Sequence, residues 1–163
     1  MNIFFVHPDP REAARQLCDK HICKMILESV QMLSTAHPEG EAPYGCIKSH
    51  INHPCTKWAR ETYPNYDWLV DHLLEMCSEY TSRYGKVHKM EDAAKWLKDN
   101  QPSCIDRPAA PMTKPPQCMP DDCKCNDGFF WDAIEGYRKY YKQEKAYFAK
   151  WKNGNTPKWF VKG

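Results

Sequence analysis

A stripe of unlike polar side chains, His21, Lys24, Glu28 and Gln31, runs along one side of the first strongly periodic segment of this chain. At about 100° per residue, spacings of three, four and three hold the four within roughly 80° of one another on a helix. On the opposite arc lie Cys18, Ile22, Ile26, Val30 and Leu33, with Met25 and Met32 at its margins. This division of faces commits the segment to an amphipathic helix laid on a core. The polar file is then either a solvated face or one wall of a site.

The helix is expected over about residues 10–35, with Asp9 as its cap and Pro10 in its first turn. Ahead of it, residues 2–6 (NIFFV) are apolar and are stopped by Pro8 and Pro10, so they form a strand or an extended arm. Residues 37–54 read as a Pro/Gly-rich connection. A second helical region begins after Pro54, passes Pro64 and closes at Gly85. Within it Trp68, Leu69, His72, Leu73, Met76 and Tyr80 repeat at helical spacing, which makes His72 a core histidine. A short helix is expected over 90–99. Six of the thirteen prolines then fall in 101–127, an ordered but irregular loop. A last long helix over 128–150 leads into a tail. No internal repeat, heptad run or strand series is present. The expected fold is all-α: a single compact domain of four to five helices, with an N-terminal arm (1–8), a helical core (10–150) and a basic aromatic tail (151–163).

At 163 residues the chain is long enough for one real core, and 42% hydrophobic content excludes disorder. No apolar run approaches the roughly 20 residues that span a bilayer. The opening MNIFFVHPDP lacks a basic region followed by an apolar segment and a small-residue cleavage site, so a cytoplasmic, intracellular protein without membrane partners is expected. Nine cysteines in such a compartment argue against a disulfide framework. The densest group, Cys118, Cys123 and Cys125 with Cys104 upstream, lacks the paired Cys-x2-Cys spacing of zinc sites. Free thiols are expected there, with no metal and no cofactor.

The net charge of +2 conceals a polarity. Residues 138–163 carry eight Lys and Arg against one Glu, a balance of +7 that leaves −5 for residues 1–137. Tyr140, Tyr141, Tyr147, Phe148, Trp151, Trp159 and Phe160 are interleaved with these cations. Positive charge for phosphates beside rings for stacking is the composition of a nucleic-acid surface. An amphipathic helix with core rings and solvated lysines is an equal alternative for residues 138–150.

Taken with the tail Thr156-Pro157-Lys158-Trp159-Phe160, the spacing Asp19-x-His21-x6-Glu28 resembles the pyrimidine-dimer DNA glycosylases. Their first long helix carries an Asp, a His two later and a catalytic Glu seven beyond. They also have a short Pro-containing turn comparable to Asn52-His53-Pro54, and a Pro-x-Trp-aromatic tail. Bacterial relatives open as Met1-Asn2-Ile3-Phe4 and His7-Pro8 do here. The resemblance implies an attack by the chain's own α-amino group on deoxyribose C1′, release of the damaged pyrimidine, and strand nicking by β-elimination from the resulting imine. An α-amino group suits that task because, unlike lysine, it is partly unprotonated near neutral pH. Asn2 is too large for routine removal of the initiator, so the nucleophile implied is the Met1 amine. Glu28 would stabilise the developing sugar cation, with His21 as a further catalytic group. Asn2, Lys24, Gln31, His53, Lys152, Lys158, Trp159 and Phe160 would contact nucleic acid. The implied partner is double-stranded DNA, bound by a monomer.

Read residue by residue, several alternatives stay open. Glu28 and Lys24 form an i,i+4 pair that also suits a plain surface. His21 stands at the edge of the apolar arc, where boundary and functional histidines are equally at home. Asp19 points to the apolar side and needs a partner if buried, either a helix terminus or Arg60. His53 suits fixing the turn before Pro54. A base-modifying enzyme without the lyase step and a non-catalytic nucleic-acid-binding protein fit the same features. The enzyme reading requires the Met1 nitrogen within about 6 Å of the Glu28 carboxylate, in an open groove.

Overall fold

Asp9 opens the helical part of the chain, its carboxylate accepting from the backbone N–H groups of Arg11 (2.8 Å) and Glu12 (3.2 Å) while Pro10 occupies the first turn. The structure is a computed structural model that describes residues 1–42, 49–126, 128–152 and 154–160. Six α-helices follow in order: α1 (Pro10–Arg15), α2 (Asp19–Ser34), α3 (Pro54–Ala59), α4 (Tyr63–Tyr84), α5 (Glu91–Asp99) and α6 (Phe129–Tyr140). A 3-10 turn at Asp121–Cys123 and a π turn at Tyr141–Lys145 complete the list, with no strand among the described residues. None of these helices is long and apolar enough to cross a membrane.

The all-α expectation holds, with the helix boundaries corrected in three places. The single helix expected over 10–35 is two, because the backbone at residues 16–18 is claimed by distant groups. Arg83 Nη1 donates to the Leu17 carbonyl (2.8 Å), the Cys18 N–H donates to the Tyr141 hydroxyl (3.2 Å), and the Asp19 N–H donates to the Lys150 carbonyl (2.8 Å). The region after Pro54 is likewise divided, with Thr62 capping α4 by accepting from the Asn65 N–H (3.1 Å). The last helix stops at Tyr140 and gives way to the π turn rather than running to 150. Hence the described residues form six helices where about four to five were expected.

α4 is the central element and packs on α1, α2 and α5. Its buried stripe includes Trp68, Leu69, His72, Leu73 and Met76. His72 is the core histidine its spacing predicts: Nδ1 pairs with the Pro10 carbonyl at 2.9 Å, and burial lowers its pKa to about 4. Gly85 ends α4 in the left-handed region (φ 70°), its N–H donating to the Thr81 carbonyl at 2.8 Å.

Of the two readings of the N-terminal segment the extended arm holds, and it lies inside the core, with Phe4, Phe5 and Val6 all buried. Phe5 meets Trp58 edge-on, Phe4 stacks on His21, and Arg138 of α6 donates to the Val6 carbonyl at 2.9 Å. The Pro-rich loop earns its order from backbone bonds to earlier elements: Cys104 N–H to Ala36, Asp106 N–H to Arg60 and Arg107 N–H to Glu61.

Two further expectations are corrected. Asp19 pairs with Arg83 (3.1 Å) and accepts from the Lys152 N–H (3.0 Å), while Arg60 is turned to the Ile51 carbonyl. The tail is not a free arm. Trp151 donates to the Gln16 carbonyl (3.0 Å), Trp159 donates to Gln16 Oε1 (2.7 Å), and Phe160 is buried against Trp151 at 4.8 Å. The break between α1 and α2 creates the acceptors that draw the tail back.

Candidate active site

Placing the arm under α6 brings the start of the chain against the polar face of α2. The Met1 nitrogen lies 3.3 Å from Glu28 Oε1. The Met1 side chain is only 2% exposed although the residue as a whole is half-buried, so its exposure lies on the backbone end that carries the amine. The other Glu28 oxygen, Oε2, is buried and has no hydrogen-bond donor. A carboxylate placed for structure alone would seldom leave that acceptor unsatisfied.

Around this pair lies a cleft of about 280 Å³, lined by Met1, Asn2, His21, Lys24, Glu28 and His53 among the residues singled out from sequence. Phe4, Met25, Cys118, Tyr140 and Lys145 complete it. Asn2 fixes the approach of the chain. Its Oδ1 accepts from the Tyr137 hydroxyl (2.7 Å) and the Ile3 N–H (2.9 Å), and its Nδ2 donates to the Cys118 carbonyl (2.9 Å). That amide holds the arm in place while Asn2 itself lines the cleft.

His21 is buried, paired through Nδ1 with the Tyr141 hydroxyl. Burial, reinforced by Lys145, Lys24 and Lys20, lowers its pKa to about 3. A ring held neutral offers a phosphate no charge, so the side-chain cations at this cleft are Lys24 and Lys145, beside the terminal amine. His53 caps α3 by accepting the Cys55 N–H at Nδ1 (3.1 Å), the turn-fixing role its position suggests, and it also faces the cleft. Burial, the terminal amine and His50 lower its pKa.

A profile described as pyrimidine dimer DNA glycosylase matches residues 1–92, more than half of the chain. The protein belongs to this family. No curated protein and no solved structure matches it. The matched stretch holds the Met1–Glu28 pair, His21, Lys24 and His53, and membership in a DNA glycosylase family makes DNA the substrate class.

The remaining wall comes from beyond residue 92. Tyr140 and Lys145 belong to the basic aromatic segment, and Lys145 sits 4.8 Å over the Tyr140 ring. Cys118 comes from the Pro-rich loop, and no local motif foretells its arrival at this cleft. Gln31 is half-buried on α2 but outside the cleft lining, and so are the tail residues. Lys158 is exposed, Lys152 lies 5.0 Å over Tyr84, and Trp159 is half-buried with Arg138 5.5 Å over its ring. Phe160, expected to stack on a base, is instead core. The ring most open to solvent among the described residues' large hydrophobics is Tyr147, 84% exposed.

Proposed function

We propose that this protein is a DNA-repair glycosylase with an associated lyase step, acting on damaged or modified pyrimidines in double-stranded DNA as a monomer. The Met1 amine is the nucleophile. The observation that carries this reading is the 3.3 Å approach of the Met1 nitrogen to Glu28 inside an open cleft.

The amine nitrogen bonds to C1′ as the C1′–N bond to the base breaks, and the base departs with that electron pair and acquires a proton. Glu28 stabilises the positive sugar in the transition state and accepts the proton the amine loses. Opening of the sugar gives an imine between Met1 and C1′. Loss of a proton from C2′ then expels the 3′ phosphate and nicks the strand. Lys24 and Lys145 hold backbone phosphates at the rim. A protein that only binds nucleic acid would have no use for a carboxylate with an unpaired oxygen beside the chain's own amine.

The test is borohydride reduction in the presence of DNA with an abasic site. A covalent protein–DNA adduct mapping to Met1 is expected, and none after selective acetylation of the amine. Glu28→Gln is expected to keep DNA affinity while lowering turnover on the order of a hundredfold. An adduct that survives acetylation, or one mapping to a lysine, would overturn the assignment.

A further inference from the structure

The wall of the cleft contains a pair of cysteines that the glycosylase chemistry does not use. Cys55, in the first turn of α3, is buried, and Cys118, in the Pro-rich loop, is half-buried and lines the cleft. Their sulfurs are 3.6 Å apart. The single Cys55 S–H has two acceptors in reach, Cys118 Sγ and Asn2 Oδ1, each at 3.6 Å. The neighbouring Tyr137 hydroxyl accepts from the Cys118 N–H at 3.2 Å and donates to Asn2 Oδ1. The two sulfurs and the anchor of the N-terminal arm thus form one network.

The pair is divided in character. The hydrogen bond from Cys55 pulls the Cys118 thiol down to about 7 against the effect of burial, helped by Tyr137, Lys124 and the terminal amine. Burial and the adjoining Cys118 sulfur push Cys55 up. An accessible thiolate beside a protonated, sheltered thiol is the arrangement of an attacking and a resolving cysteine. His53 completes a cluster whose ligand atoms lie within 4.8 Å, which a thiophilic cation would also accept. Its Nδ1, however, takes the Cys55 N–H, leaving the hydrogen of the neutral ring on Nε2. Neither nitrogen then has a free lone pair unless the α3 cap is broken.

We propose that Cys118 and Cys55 are an oxidative modification site, converted by a hydroperoxide into a disulfide that locks the wall of the amine cleft. The Cys118 thiolate attacks the peroxide oxygen, breaking the O–O bond and giving Cys118 sulfenic acid and an alcohol or water. The Cys55 thiol then displaces hydroxide from that sulfur, which leaves as water, and the S–S bond forms. Two electrons pass from the sulfurs to the peroxide. Bonding draws the sulfurs from 3.6 Å to about 2.05 Å. It removes the Cys55 proton from Asn2 and shifts the backbone that holds the Asn2 amide. The consequence for activity rests on the glycosylase reading, whereas formation of the disulfide does not.

Reduced protein is titrated with hydrogen peroxide and followed by peptide mapping, with fragment spectra assigning the bonded sulfurs, and the exposed Cys23 and Cys104 serve as internal controls. A Cys55–Cys118 disulfide is expected before those two oxidise, reversed by a thiol reductant. Adduct formation with abasic DNA should fall on the order of a hundredfold in the disulfide form and return on reduction. Cys55→Ala should leave Cys118 as a sulfenic acid trappable by dimedone, and the wild-type readouts stand even if that variant fails to fold. Cys55 and Cys118 both remaining reduced while Cys23 and Cys104 oxidise would overturn the proposal. So would a stoichiometric zinc ion released from purified protein, or a disulfide that leaves adduct formation unchanged. A disulfide in a protein whose reduced form gives no adduct would support the site and sink the glycosylase reading.

Discussion

Asn2 illustrates how much of this cleft is decided by single side chains. One amide oxygen meets the Tyr137 hydroxyl and the Ile3 N–H, and the amide nitrogen meets the Cys118 carbonyl, so the amine one residue away inherits its position from that anchor. Asn2→Ala takes from the buried Tyr137 hydroxyl its 2.7 Å acceptor, leaving it the Pro116 carbonyl at 3.3 Å, and frees the arm. A misplacement near 1 Å costs a nucleophile on the order of a hundredfold, so borohydride trapping should slow by about that factor, with unfolding free energy lower by about 1–3 kcal/mol. Normal trapping by Asn2→Ala would mean that α2 alone positions the amine. The polar file on α2 was legible from sequence because helical spacing fixes which residues share a face. What it could not convey was His21's partner and charge state: Tyr141, from far along the chain, takes its Nδ1, and burial disfavours its charged form.

Among elements, the break between α1 and α2 depends on remote partners, whereas the division of α3 from α4 rests on the local Thr62 cap. Propensity alone would carry a helix through Leu17, and it is Arg83, Tyr141 and Lys150 that break it. The Asp9 cap, the apolar face of α2 and the stripe of α4 were legible because each is local. The docking of the tail was hidden for a similar reason, since the Gln16 carbonyl is released to accept from Trp151 only where that break exists, with Trp159 then reaching Gln16 Oε1. Deleting residues 151–163 is therefore expected to lower the melting temperature as well as DNA affinity, since it uncovers Tyr141 and the α1–α2 junction. Loss of the buried Trp151 and Phe160 corresponds to roughly 3–5 kcal/mol or more. Thermal unfolding followed by circular dichroism checks this, and an unchanged midpoint would return the tail to the role of a free DNA-binding arm. Gly136 marks another close approach. A Cβ there would stand 2.7 Å from Gln117 Oε1, a group already accepting the Cys125 N–H, so Gly136→Ala should destabilise by about 1–3 kcal/mol in urea melts.

For the molecule as a whole, the buried histidines set an acid limit. His21 and His72 are held at about 3 and about 4, against 6.5 for a free ring, by burial that disfavours the charged form. The unfolded chain binds protons that the folded one refuses. The stability they contribute is thus complete above pH 6.5 and is lost as pH falls from there toward 4, by roughly 1.4 kcal/mol per pH unit for each ring. Urea midpoints measured from pH 7.5 down to pH 5 should drop on that slope, and a flat profile would mean the rings protonate freely in the folded state.

The first residues of the chain lie under its last helix, with Asn2 held by Tyr137 and Val6 by Arg138. During synthesis, residues 2–6 therefore have no finished place until α6 has been made. Any product that stops short of α6 would leave the Met1–Glu28 pair without the Tyr137 and Arg138 contacts that seat the arm.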